Sequence, residues 1–133
     1  MYGLDTTIFR YFNVYGDRQP EEGSYATVLG IFKRQRENNQ PLTIVGDGEQ
    51  KRDFTHVSDI VNANILAMGK VGNGEVFNIG TGRNHSINEI AEMFGGEKTY
   101  LPKRPGEAKE TLADCSKAKN FLGYEPKVRD LKI

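Results

Sequence analysis

Two apolar segments constrain the fold more than any other feature of the sequence: residues 6–12 (TTIFRYF) and residues 75–79 (EVFNI). Segments this rich in β-branched and aromatic residues are typical of inner strands in a parallel sheet. Inner strands need neighbours at both edges and helices on both faces, and the rest of the sequence offers few partners for them. We therefore expect a mixed α/β fold in which part of a larger sheet is missing from this chain.

Four helices are predicted between the strands from apolar spacing and capping signals. The first has one apolar face at i, i+3, i+4 and i+7, formed by Tyr25, Val28, Leu29 and Phe32. Ser58 or Asp59 can cap the second helix. A capping box of Ser86 and Glu89 opens the third, and Ser116 can cap the fourth. Further extended segments are predicted at residues 42–45, 53–57 and 98–101.

Composition excludes several classes of protein. The 133 residues contain 18 Lys and Arg against 18 Asp and Glu, so the net charge gives no reason to expect nucleic acid or an anionic membrane as a partner. No apolar run approaches the roughly 20 residues that span a bilayer, and no signal-peptide pattern opens the chain. The single cysteine cannot form an internal disulfide. We expect one soluble domain at most, in the cytoplasm.

No complete catalytic or metal-binding motif occurs in the sequence. The Gly80/Gly82 pair lies between a strand and a capped helix, but His85 occupies the place of the third glycine of a dinucleotide loop, which favours a tight turn. The pattern around His56 favours a packed histidine beside a helix cap. Cys115 has no histidine partner, which favours a structural thiol. We therefore predict no catalytic residue and no metal ligand in this chain.

Two arginines in separate loops are the best candidates for ligand binding. Arg52 follows a glycine-rich turn, and Arg104 precedes a proline in the segment KRPGE. Guanidinium groups from two loops can hold a diphosphate through bidentate hydrogen bonds. A nearby carboxylate such as Glu107 can accept hydrogen bonds from ribose hydroxyls. The alternative, which composition alone favours, is that both arginines are solvated surface residues.

Six sequence blocks together resemble one family. They are RYFNVYGDRQ (10–19), YATV (25–28), GDG followed by RDF (46–54), FNIGTG (77–82), RPGE (104–107) and ADCSKA followed by LGYEP (113–126). In this order they resemble the extended short-chain dehydrogenase/reductases of the NAD-dependent epimerase/dehydratase family. The resemblance covers essentially the whole chain and is closest to UDP-sugar 4-epimerases that act on UDP-glucose or UDP-N-acetylglucosamine.

The resemblance implies that residues 1–133 are a C-terminal, substrate-binding lobe plus the late parallel strands of an incomplete Rossmann-type sheet. The N-terminal NAD-binding part of the family, with its glycine-rich loop and Tyr-x-x-x-Lys pair, has no counterpart here. The implied function is to bind a nucleotide-sugar, most simply a UDP-sugar, in an NAD-dependent 4-epimerase or dehydratase, without catalytic competence alone. The alternative is a stand-alone, non-catalytic binding module that self-associates as a homo-oligomer.

The resemblance also assigns the polar part of the ligand site. Arg52 and Arg104 would hold the diphosphate, and Asn13 would hydrogen-bond the diphosphate or the sugar. Glu107 would meet the ribose hydroxyls, where the family usually has Asp. Tyr11 would lie near the nicotinamide end of NAD, which the missing half would bind for the most part.

The remaining implied substrate contacts are less polar. Thr43 and Val45 belong to a strand that lines the uracil pocket in the family, although this strand lacks the aromatic residue that commonly stacks on the base. Thr27 and Val28 match a helix start near the sugar and the nucleotide. Thr111 matches a position that can face the substituent at C2 of the sugar.

Overall fold

The computed structural model describes residues 3–70 and 72–133. In these residues, eight short strands alternate with four helices, none of them long and apolar enough to cross a membrane. In chain order the elements are β1 (Thr7–Tyr11), β2 (Val14–Tyr15), α1 (Val28–Glu37), β3 (Leu42–Val45), β4 (Lys51–Arg52), β5 (Thr55–His56), α2 (Val57–Ala67), β6 (Glu75–Ile79), β7 (His85–Ser86), α3 (Ile87–Phe94), β8 (Lys98–Leu101) and α4 (Ser116–Leu122).

The two apolar segments pair with each other, as β1 and β6, in parallel register. Phe9, Phe77 and Ile79 lie on the face of this pair that packs against α2 and α4. On the opposite face, Ile8 is paired with Val76 and is about half exposed. The prediction of a mixed α/β fold with parallel strands is therefore confirmed, and within residues 3–70 and 72–133 the helices α2 and α4 pack on one face of this pair.

A second hydrophobic core is formed mainly by α1, β3 and α3. Leu29 and Phe32 of α1 pack with Leu42 and Ile44 of β3 and with Ile90 of α3, and all five are buried. Three further strand pairs complete the architecture: β2 with β5 and β3 with β8 are parallel, and β4 with β7 is antiparallel. The predicted bounds of β3, β6 and β8 agree with the structure.

The helix start that the resemblance implied at Thr27 and Val28 is confirmed, whereas apolar spacing began the first helix too early and the predicted caps of α2 and α4 are wrong. The first helix begins at Val28 with Thr27 as its N-cap, so Tyr25 lies outside it and is 90% exposed. In α2 the N-cap is His56, because its imidazole Nδ1 accepts a hydrogen bond from the Ser58 N–H at 3.2 Å. In α4 the N-cap is Cys115, and Ser116 is already the first helical residue.

The capping box at the start of α3 is present as predicted. Ser86 Oγ accepts from Glu89 N at 3.1 Å, and Glu89 Oε2 accepts from Ser86 N at 2.8 Å. We expect Ser86→Ala to lower the free energy of unfolding by about 1 kcal/mol, because one helical N–H loses its acceptor. Glu89→Gln preserves the reciprocal bond and is the matched control in urea denaturation. Equal stability of Ser86→Ala and the wild type would contradict this role.

Candidate functional site

A cleft of about 370 Å³ lies between the start of α1, strands β3 and β4, and the loop that follows β8. Hydrogen bonds hold that loop at both ends. Gly46 N donates to Leu101 O at 2.9 Å, and Lys51 exchanges backbone hydrogen bonds with Lys109 and Thr111 at 2.9 and 3.0 Å. The cleft is lined by eight of the nine predicted substrate-binding residues: Asn13, Thr27, Val28, Thr43, Val45, Arg52, Arg104 and Glu107.

The ninth residue, Thr111, lies beside the cleft lining rather than in it. Asn13 Nδ2 donates to Thr111 Oγ1 and to Asp53 O, both at 3.2 Å, so the amide carbonyl of Asn13 stays available to a ligand donor. Tyr11 lies elsewhere, at the end of β1, where its hydroxyl hydrogen-bonds the Asn64 side chain at 3.0–3.1 Å. The structure therefore joins the predicted substrate residues and separates them from Tyr11.

The two arginines of the cleft differ in their surroundings. Arg52 Nη2 pairs with Glu107 Oε1 at 3.2 Å, and the two side chains are only 15% and 28% exposed. Arg52 Nη1 also donates to the Lys51 carbonyl at 2.8 Å, which fixes the plane of the guanidinium. Arg104 is exposed and makes no ion pair within the described residues. The Arg52 guanidinium is thus held in place by protein contacts. The Arg104 guanidinium is available to an anionic oxygen of a ligand.

The Thr27 hydroxyl makes two hydrogen bonds within the protein. Its Oγ1 donates to Gln19 Oε1 at 2.8 Å and accepts from Gly30 N at 3.1 Å as the cap of α1. Thr27 therefore lines the cleft as the N-cap of α1, and its hydroxyl holds the Gln19 side chain.

A second cavity of about 250 Å³ adjoins the cleft and shares Val45, Gln50 and Glu107 with it. Gln50 Nε2 donates to the Val45 carbonyl at 2.8 Å, which links two of the three residues that the cavities share. An extended ligand with separate polar and flat parts can therefore lie across both, with its negative charge near the arginines.

Asp53 is the key residue that the sequence analysis missed. Its carboxylate is fully buried and accepts from Thr81 N (2.9 Å), Thr81 Oγ1 (2.7 Å), Gly82 N (3.0 Å) and Ala113 N (3.1 Å). These bonds tie the β4–β5 segment to the turn after β6 and to the segment before α4. The only sequence signal was its place between Arg52 and Phe54.

The glycine turn that Asp53 holds is not a dinucleotide site. The N–H groups of Thr81 and Gly82, which a cofactor pyrophosphate would need, already donate to a carboxylate that would repel it. Gly82 has a φ of +70°, and a side chain at Gly80 would collide with Ala113 and Asp53. The prediction of a tight turn is confirmed, and this turn does not fit NAD.

His56 and Cys115, the other side chains considered for catalysis, pack within the protein. His56 packs edge to face with Tyr15 at 5.2 Å between ring centres, in addition to capping α2. Burial raises the pKa of the Cys115 thiol, whose Sγ lies 3.5 Å from the Gly80 carbonyl. Residues 3–70 and 72–133 contain no group of three or more His, Cys, Asp or Glu side chains that could hold a metal ion.

Comparisons with known proteins agree with one another. Residues 1–80 match the NAD dependent epimerase/dehydratase family. The chain is 41% identical to a putative UDP-glucose 4-epimerase of Methanocaldococcus jannaschii over 99% of its own length and 44% of that protein. It is 47% identical to the UDP-N-acetyl-α-D-glucosaminuronate decarboxylase of Bacillus cytotoxicus over 95% of its own length and 43% of that protein.

A solved structure shares the fold. The UDP-glucose 4-epimerase of Thermotoga maritima, crystallised with UDP-glucose, superposes with a TM-score of 0.89 at 44% identity, over 95% of this chain and 42% of that one. The chain thus spans less than half the length of these relatives. Because the family match covers more than half of its residues, the chain belongs to the NAD-dependent epimerase/dehydratase family.

Proposed function

We propose that this chain is the nucleotide-sugar-binding portion of an NAD-dependent sugar 4-epimerase or dehydratase, with UDP-sugars as the ligand class. The observation that carries the proposal is the meeting of Arg52, Arg104 and Glu107 in one cleft, although they come from loops about fifty residues apart in sequence. Relatives whose names specify UDP-sugars support this ligand class.

The proposed binding mode assigns each polar group one part of the ligand. Arg104 meets one phosphate without breaking any existing ion pair. The other phosphate competes with Glu107 for the Arg52 guanidinium, which leaves the carboxylate to accept from ribose hydroxyls. Asn13 offers its amide carbonyl to the sugar, with Thr111 behind it. The flat base lies along β3, at the far side of Glu107 from the arginines.

We further propose that NAD is bound mainly by a Rossmann-type half that this chain does not include, with Tyr11 near the nicotinamide. Within the described residues β1 pairs only with β6, and Ile8 on the pair's helix-free face is 49% exposed. On α2, Val61 and Ile65 are 52% and 61% exposed. Parallel strands are normally covered on both faces, which supports a missing structural partner.

The same exposed surface favours a second candidate, a non-catalytic module that self-associates. Exposed strand edges and apolar helix faces can be covered by a second copy of the chain. Light scattering on the purified chain separates the two candidates: the first predicts a monomer at micromolar concentration, and the second predicts a stable dimer or larger assembly.

Calorimetric titration tests the proposed ligand class. We expect UDP-glucose and UDP to bind the purified chain and uridine to bind at least about tenfold more weakly, because only the former engage the arginines. Equal binding of uridine and UDP would contradict a diphosphate site, and no binding of any of the three would overturn the proposal.

A turnover assay tests the predicted lack of catalysis. We expect the isolated chain, supplied with NAD and UDP-glucose, to form no epimerised sugar, because the glycine-rich loop and the Tyr-x-x-x-Lys pair of the family have no counterpart in its sequence. A mixture with the separately produced N-terminal half of a relative is the positive comparison. Turnover by the pure chain alone would contradict this prediction.

A further inference from the structure

The first turn of α3 holds the turn at residues 47–50, which precedes β4. The Ile87 N–H donates to the Gln50 carbonyl at 3.2 Å. The Asn88 N–H donates to the Gly48 carbonyl at 3.0 Å. The first N–H groups of a helix have no partner inside the helix, and here two of them bind another segment. The 47–50 turn is therefore fixed against the start of α3.

The Asn88 side chain adds three contacts to those of its backbone. Its Nδ2 donates to the Asp47 carbonyl at 3.0 Å and to Glu49 Oε1 at 2.6 Å. Its Oδ1 accepts from the Tyr100 hydroxyl of β8 at 3.2 Å. A carbonyl and an ionised carboxylate can only accept, so the NH₂ end of the amide has to face Asp47 and Glu49. The neighbours of Asn88 therefore determine which way its amide points.

The segment that Asn88 holds forms much of the second cavity. Nine residues line this cavity of about 250 Å³, and five of them lie at positions 45–50. Gly48, within the same segment, is buried with a φ of +77°, and a Cβ there would lie 2.1 Å from Asn88 Oδ1. Asn88 itself lines neither this cavity nor the cleft. A change at Asn88 can therefore alter the wall of the second cavity without removing a ligand contact.

We propose that Asn88 is a positioning residue for nucleotide binding, because it holds the 47–50 turn in the shape that accommodates the uridine part of the ligand in the second cavity. This inference rests on the proposed function, since it takes the ligand to be a UDP-sugar that extends past Glu107 from the arginines. It assigns part of the affinity to a side chain that does not touch the ligand.

Calorimetric dissociation constants for UDP, and for pyrophosphate by displacement of UDP, test the inference. Asn88→Asp keeps the shape of the side chain but places a carboxylate against the Glu49 carboxylate and the Asp47 carbonyl. We expect it to weaken UDP binding by about tenfold and to keep the pyrophosphate constant within about twofold, because pyrophosphate needs only the arginines. Asn88→Asp/Glu49→Gln exchanges donor and acceptor, so that the amide at position 49 can donate to the carboxylate at position 88. This double variant should recover most of the UDP affinity.

Asn38→Asp is the matched control, since it makes the same exchange at an exposed position outside both cavities, where the amide also donates to a backbone carbonyl, and should leave the UDP constant unchanged. If Asn88→Asp does not fold, Tyr100→Phe decides the question, because it removes only the hydroxyl bound to Asn88 Oδ1 and should weaken UDP binding by about threefold.

Three results overturn the inference and leave the diphosphate site intact: an Asn88→Asp variant with the UDP affinity of the wild type, an equal loss of UDP and pyrophosphate affinity, or no recovery in the double variant. An unchanged UDP constant in Tyr100→Phe has the same consequence where that variant decides. A wild type that binds neither UDP nor pyrophosphate overturns the proposed function as well.

Discussion

Asp53→Ala is expected to lower the free energy of unfolding by about 3 kcal/mol or more, the largest effect of any single substitution considered for this chain. The substitution leaves the N–H groups of Thr81, Gly82 and Ala113 without their acceptor, which is fully buried itself, and among the three donors Ala113 is buried and Thr81 half-buried. Each unsatisfied buried donor costs about 1–3 kcal/mol, and solvent entering the space left by the carboxylate recovers part of that cost.

Urea denaturation monitored by circular dichroism measures this effect. Asp130→Ala is the matched control, because Asp130 is exposed and its substitution should change the stability by less than about 0.5 kcal/mol. If Asp53→Ala and Asp130→Ala unfold at the same urea concentration, Asp53 does not organise the fold in the way the hydrogen bonds indicate.

Arg104→Ala is expected to weaken the binding of UDP-glucose by about 2 kcal/mol, or roughly 30-fold, through loss of a charge-assisted contact to the diphosphate. Its stability should stay that of the wild type, because Arg104 is exposed and forms no ion pair within the described part of the chain. Isothermal titration calorimetry gives both the affinity and the fraction of active protein.

Arg129→Ala is the control for this experiment, since Arg129 is also exposed and lies outside the cleft. An affinity unchanged by Arg104→Ala would remove Arg104 from the site. Arg52→Ala is a less clear test, because it also deprives Glu107 of its ion-pair partner and changes the free protein. Weaker binding by that variant would have two causes, the loss of a ligand contact and the change in the free protein.

Local patterns in the sequence predicted the elements well where neighbours in sequence determine them. The capping box at Ser86 depends on groups three residues apart, and the bounds of β3, β6 and β8 follow from short apolar runs. The N-cap of α2 was mispredicted because an imidazole nitrogen competed successfully with the hydroxyl and carboxylate groups that usually cap helices.

The parts of the site that sequence reasoning missed depend on contacts between distant residues. Asp53 meets partners 28 to 60 positions away, and nothing in its immediate neighbours shows that it is buried. The Arg52–Glu107 pair spans 55 positions. Eight of the nine predicted substrate-binding residues nevertheless lie in one cleft. They were predicted from a resemblance to complete proteins, and such a resemblance carries information about long-range contacts. Spacing and periodicity do not carry that information.

The central claim is that the cleft between α1, β3, β4 and the loop after β8 binds a nucleotide-sugar. The most direct test is titration of the ¹⁵N-labelled chain with UDP-glucose, followed by amide chemical shifts. The predicted result is a saturable set of shifts concentrated at Thr27, Val45, Arg52 and Glu107. Shifts confined to the separate surface around Arg83 and Arg129, which lie outside the cleft, or no shifts at millimolar ligand, would contradict the claim.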